Sequence, residues 1–146
     1  MFDRIVIGLD GSDISEKALA TGSELAKRLN VPVHLVRVAD LAVFDWGATD
    51  AAAAYAELST EMDDAKAEAG AYLDRARADL QQDGLTVTSE VRSGQAQQEL
   101  VEVVTPNDLL VVSSHGRGGL QRVLLGSVAE EVARKSPAPV LIVRQG

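Results

Sequence analysis

Leu109–Lys135 reads LLVVSSHGRGGLQRVLLGSVAEEVARK. It opens on an apolar, partly β-branched run, the signature of a strand buried on both faces. The run ends in the small residues Ser113 and Ser114. His115, Gly116, Arg117, Gly118 and Gly119 follow, and Gly126 and Ser127 then stand at the start of a helix reaching to about Lys135. Ser127 with Glu130 forms a capping-box pattern, which makes Ser127 the expected N-cap. Strand, glycine loop and helix N-terminus in this order present bare backbone N–H groups, and the helix dipole adds partial positive charge. The segment is therefore suited to a phosphate.

Upstream, the same alternation of strand and helix repeats. Arg4–Leu9 (RIVIGL) is a short apolar run ending at Asp10 and Gly11. Asp13 with Glu16 suggests a capping box opening a first helix. Ala18, Gly22, Leu25, Ala26 and Leu29 recur at helical spacing until Asn30 and Pro32 stop it. Val31–Val38 (VPVHLVRV) is a second strand. After a loop carrying Phe44 and Trp46, an Ala-rich stretch from Ala51 to Gln82 places Ala54, Leu58, Met62, Ala65, Ala69, Leu73, Ala76 and Leu80 on one helical face. Asp63, Asp64, Lys66 and Glu68 form its solvated side, and Asp83 and Gly84 close it. Leu85–Val91 alternates apolar and polar, a strand with one wetter face. A short helix follows through Leu100 and Val104, ended by Pro106. The fourth strand is Leu109–Val112, and Val140–Val143 (VLIV) is a fifth.

This order predicts one α/β domain over residues 1–146: an open parallel five-stranded sheet with helices on both faces, joined by right-handed crossovers. If the first three strands wind one way and the last two the other, the strand order is 3-2-1-4-5. Ligands in such sheets bind beyond the carboxyl ends of the strands, where the order reverses. That switch point brings Asp10–Gly11–Ser12 opposite Ser113 to Gly119.

Composition narrows the function classes. Apolar residues make up 46% and aromatics 3%, so the core is built of Ala, Val, Leu and Ile. The absence of cysteine leaves no disulfide or thiolate zinc site and suits a cytoplasmic setting. No secretory pattern is present, since Asp3 and Arg4 interrupt the N-terminus. No apolar run approaches the ~20 residues of a membrane span. A net charge of −8 disfavours nucleic acid as a partner. It leaves a nucleotide open, because local N–H groups and a metal ion hold phosphate inside an acidic protein. No His/Asp cluster has metal-ligand spacing, and no serine or cysteine nucleophile is paired with His115 by any visible pattern. His34, inside a strand, reads as structural.

The chain resembles the universal stress protein family in its opening RIVIGLDGS, its long second helix, SSHGRGGLQRVLLGS and the closing PAPVLIVR. The family's nucleotide-binding branch carries Gly, two residues, Gly, nine residues, then Gly with Ser or Thr. Here the last three positions are Gly116, Gly126 and Ser127, and the first is Ser113 in place of Gly. The resemblance implies a Rossmann-like, adenine nucleotide alpha hydrolase-like fold and an adenine nucleotide ligand: ATP, or else AMP or ADP, with Mg²⁺ or Mn²⁺ carried by the phosphates. It implies that Gly8 and Leu9 line the adenine side and that Asp10 contacts the ribose or an associated metal. It further implies that Val38 meets adenine through its backbone, and that Ser113, Ser114, His115, Gly116, Arg117, Gly118 and Gly119 wrap ribose and phosphates. Gly126, Ser127 and Val128 are then the phosphate seat. Asp10 is equally readable as a residue that orders its own turn, and Arg117 as a solvated charge.

Val140, Leu141, Ile142 and Val143 form an apolar strand at a sheet edge, which invites pairing. Family members commonly dimerise there, so the resemblance implies a two-fold homodimer. Three functions remain: a dimeric regulatory stress-response module that binds ATP and acts through a signalling protein, a slow ATPase or phosphotransferase, and a dimeric scaffold that binds no nucleotide.

Overall fold

The structure, a computed structural model, describes residues 1–39, 51–115 and 125–144, with 51–58 described as backbone. The elements are β1 Arg4–Leu9, α1 Asp13–Leu29, β2 Val33–Ala39, α2 Ala51–Gln82, β3 Val87–Ser93, α3 Ala96–Val103, β4 Asp108–Ser113, α4 Ser127–Lys135 and β5 Val140–Val143. They form one five-stranded sheet of order β3-β2-β1-β4-β5, and every pairing is parallel. The strand order and the alternation are those expected from the sequence. Phe44, Trp46 and Gly116 to Gly119 lie outside the described residues.

β1 occupies the middle of the sheet, which is why RIVIGL carries no alternation: Ile5, Val6 and Ile7 are fully buried. Its side chains serve two cores in turn. Ile5, Ile7 and Leu9 join Leu35 of β2, Ala18 and Ala26 of α1, and Ala69, Leu73 and Leu80 of α2. Val6 points the other way, to Val36, Leu110, Val112, Leu100 of α3, and Ala129 and Val132 of α4. Small residues bring the helices close. A Cβ on Gly22 of α1 would lie 2.6 Å from Ile7 Cδ1, so any other residue there would force the buried Ile7 side chain or the helix to shift.

Strand starts differ from the sequence reading because helix ends reach further. Val31 N–H donates to Ala26 O and Leu85 N–H to Leu80 O, so both residues belong to helix exits. β2 therefore begins at Val33 and β3 at Val87. Asn30 caps α1 in the left-handed region at φ 56°. Gly84 takes φ 91° after α2.

Two caps are shifted by one residue from the expected capping boxes. Ser12, not Asp13, is the N-cap of α1, and its Oγ accepts from Ser15 N–H at 3.3 Å. Asp13 and Glu16 lie in the first turn, where the dipole favours their charge. At α4 the N-cap is Gly126, with no side-chain cap bond, and Ser127 is the first helical residue. The capping-box signature marks both helix starts, but the residue with extended backbone takes the cap.

At the amino end of the strands, Asp108 is 1% exposed. Its carboxylate accepts from Arg4 Nε at 3.0 Å, Arg4 Nη2 at 3.1 Å and Thr105 N–H at 2.8 Å. Burial pushes its pKa up; the hydrogen bonds from Arg4 and Thr105 and the charge of Arg4 outweigh that and hold it below the usual carboxylate range. The two sheet edges differ. β3 carries Thr88, Glu90 and Arg92, with His34 of β2 placed 2.6 Å from Thr88 Oγ1 and 3.1 Å from Glu90 Oε1. Charges on an edge strand deter pairing. β5 is apolar and half-buried along its length.

Candidate functional site

The carboxyl ends of β1, β2 and β4 and the start of α4 enclose a cavity of about 500 Å³. That is within the ~300–1,000 Å³ of small-molecule sites. Its position follows from topology: the chain leaves β1 towards α1 on one face and β4 towards α4 on the other, so a crevice opens between them.

Of the residues expected at the site, Gly8, Leu9, Asp10, Val38, Ser113, Gly126, Ser127 and Val128 all line this cavity. Glycine at position 8 leaves the room: a Cβ there would lie 3.1 Å from both Leu100 methyl carbons. Asp10 follows the last residue of β1, and its Oδ1 accepts from Ser12 N–H at 2.8 Å. This local bond fixes the turn and faces one carboxylate oxygen to the backbone two residues on.

The α4 start supplies donors. The first bond of the helix runs from Glu130 N–H to Gly126 O at 3.0 Å. The N–H groups of Ser127, Val128 and Ala129 thus belong to the orphan set of a helix start, and all three residues line the cavity. Because Gly126 and not Ser127 is the N-cap, the Ser127 hydroxyl has no capping duty. The competition between cap and phosphate contact that a Ser127 cap would impose does not arise.

Ser114 and His115 do not line the cavity. Ser114 is 2% exposed and works through its backbone: its N–H donates to Val143 O at 2.8 Å, and its carbonyl accepts from Gly126 N–H at 2.7 Å. It pins the end of β5 to the start of α4. The Ser113 hydroxyl donates to His115 O at 2.9 Å, and His115 Nδ1 stands 3.2 Å from Ser114 Oγ. Gly116, Arg117, Gly118 and Gly119 fall outside the described residues.

The cavity wall also includes residues that motif reading passed over: Val36, Arg37, Ala65, Glu68, Ala96 and Leu100 among them. The apolar ones carry no motif and are found only by folding the chain. Arg37 had a signal, a charge inside an otherwise apolar strand. Glu68, on the expected solvated face of α2, is exposed but stands 3.6 Å from Arg37. Next to them the Tyr72 phenol is pushed well above its usual pKa, first by burial, then by its hydrogen bond to Glu16 and by the charge of Glu16.

Comparison with known proteins agrees with this architecture. Residues 1–144 match the universal stress protein family. A universal stress protein of Methanocaldococcus jannaschii is 32% identical over 147 residues, spanning 99% of this chain and 84% of the relative. The solved universal stress protein UspA from Lactobacillus plantarum superposes with a TM-score of 0.86 at 20% identity over 98% of each chain, a likeness of fold. A universal stress protein solved in complex with cAMP has a TM-score of 0.62 at 28% identity over 99% of each chain. The chain belongs to the universal stress protein family.

Proposed function

We propose that the cavity binds an adenine nucleotide, ATP or else AMP or ADP, and that the protein is a dimeric regulatory module of the stress response. The observation that carries this reading is convergence: Asp10 at the end of β1 and the orphan N–H groups at the start of α4 line one cavity at the switch point of the sheet. The donors suit phosphate oxygens. Asp10 and the Ser113 and Ser127 hydroxyls suit a hard divalent ion whose remaining ligands are phosphate and water. Such an ion, Mg²⁺ or Mn²⁺, would neutralise phosphate charge beside the carboxylate. The complex of a family member with cAMP supports an adenine nucleotide as the ligand class. The dimer would form through Val140, Leu141, Ile142 and Val143 of β5, the half-buried apolar edge.

The test is a thermal-shift titration with ATP, ADP and AMP, with and without Mg²⁺. A ligand at 100 times its Kd stabilises by about 2.7 kcal/mol, or about 5–10 °C for a chain of this length. No shift at millimolar nucleotide refutes binding. A second reading, a scaffold without nucleotide, is favoured by one feature: Ser113 brings a side chain to the cavity wall where the nucleotide-binding branch has Gly. Mass spectrometry of small molecules copurifying with the protein separates the two.

A further inference from the structure

Arg37 sits near the end of β2 with its side chain nine-tenths buried. Its guanidinium carbon lies 5.1 Å from the centre of the Tyr72 ring on α2, and Nη2 is 3.6 Å from Glu68 Oε1 on the same helix. The same guanidinium lies against the β1–α1 turn. A Cβ built on Gly11 would fall 3.3 Å from one terminal nitrogen and 3.4 Å from the central carbon. Gly11 also has φ 82°, so backbone and contact both call for glycine. Tyr72 closes the arrangement from the other side, its hydroxyl donating to Glu16 in the first turn of α1.

One cation thus touches both walls on this side of the cavity: the turn that carries Asp10, and the stretch of α2 that contributes Ala65, Glu68 and Ala69. Asp10, Glu16 and Glu68 are all carboxylates. Asp10 and Glu16 both act electrostatically on Tyr72, and Arg37 opposes them there. Removing Arg37 would take the positive charge from among carboxylates of α1, α2 and the turn, beside a site proposed for an anion. A buried guanidinium whose one ion pair among the described residues is 3.6 Å long is a costly way to hold a fold together. A hydrophobic residue would pack against Tyr72 as well, so the charge calls for another reason.

We propose that Arg37 is a positioning residue of the cavity: by stacking on Tyr72 and abutting Gly11, it sets the separation between the Asp10 turn and α2 at which a nucleotide is accepted. The proposal rests on the nucleotide reading above. Arg37 acts through Asp10 and α2, so its influence extends to adenosine, which has no phosphate.

The test compares Arg37→Met and Arg37→Lys with the wild-type chain, titrating ATP and adenosine by calorimetry and following amide hydrogen exchange. Met keeps an apolar stem on Tyr72 without charge or planar fork; Lys keeps the charge alone. Arg37→Met is expected to weaken both ligands by about tenfold or more, as small misplacements of a positioning group do. Arg37→Lys is expected to recover part of the loss. Amides of residues 10–16 are expected to exchange faster in Arg37→Met while those of 108–113 do not. Leu80→Ala, a core cavity at the far end of α2, controls for stability and is expected to leave affinity within about twofold. The proposal is overturned if Arg37→Met binds within about twofold of wild type, or if Leu80→Ala loses as much affinity for the same loss of melting temperature. If Arg37→Met does not fold, Arg37→Lys carries the comparison: wild-type affinity and wild-type exchange at 10–16 overturn the proposal. If wild type binds none of ATP, ADP, AMP or adenosine, the nucleotide reading falls, and unchanged exchange at residues 10–16 in Arg37→Met then overturns the positioning role of Arg37 as well.

Discussion

Asp108→Asn removes the charge of one buried group at the end of the sheet away from the cavity. The wild-type carboxylate accepts three bonds, one on Oδ1 and two on Oδ2. Asn has one acceptor oxygen. Facing it to Thr105 N–H and Arg4 Nη2 leaves its NH₂ against Arg4 Nε, donor to donor. The variant therefore loses the charge and at least one bond, and a guanidinium is left without its counter-ion. Breaking a fully buried pair costs about 3–5 kcal/mol. Arg4 retains 30% side-chain exposure and a bond to Val103 O at 3.0 Å, so water and the carbonyl take up part of the deficit. A loss of ~2–3 kcal/mol is expected, or ~4–12 °C in Tm. The pH dependence carries the sharper test. The folded pKa of Asp108 lies below that of the unfolded chain. Its charged form therefore stabilises the fold fully above the ordinary carboxylate value near ~4, and the contribution disappears as pH falls through the folded pKa. Urea unfolding of both chains at pH 7 and at about pH 3 reads the gap directly. It should be wide at pH 7 and narrower at about pH 3, below the ordinary carboxylate value, where the unfolded chain has largely taken up the proton and the advantage of the charged form in the fold is partly lost. A loss under about 1 kcal/mol at pH 7, or an equal gap at both pH values, refutes the argument.

Glycines on helices should respond with opposite signs. Gly70→Ala should stabilise by about 0.5–1 kcal/mol in urea unfolding, because its Cβ meets nothing within 4 Å. Gly22→Ala should destabilise by about 1–3 kcal/mol through overpacking against Ile7. Ser12→Ala should cost about 1 kcal/mol as a lost N-cap. Ser127→Ala should leave stability nearly unchanged, because Gly126 caps α4; an equal cost at both positions would restore Ser127 as a cap. Leu141→Asp places a charge on the β5 edge and should yield monomers in sedimentation, whereas an intact dimer would move the interface elsewhere.

The order of the elements is local information. RIVIGL, VPVHLVRV, LLVV and VLIV are apolar runs too short for helices, and Asn30, Gly84, Pro137 and Pro139 punctuate them, so the alternation of strand and helix, and with it a parallel sheet, is legible in the chain. Boundaries were less legible. Val31 and Leu85 look like strand residues because they are apolar, but their N–H groups close the preceding helices, a choice made by backbone hydrogen bonding and not by side-chain type. Caps fail in the same way: Ser127 has the right side chain, and Gly126 has the right backbone.

Asp10, Ser113, Gly126 and Ser127 were visible as motif residues because close approach to a ligand needs small side chains, glycine or carboxylate at set spacing. Arg37 and Glu68 were not, because their meaning lies in what stands beside them. Arg37 and Gly11 are far apart along the chain, and nothing in either neighbourhood records that one guanidinium abuts that turn while stacking on Tyr72. Short-range patterns of burial and turn chemistry thus specify the strands, the helices and their alternation. The shape of the cavity and the company of its charges arise only when β1, β2 and α2 pack, since distances between remote residues are a property of the assembled layers.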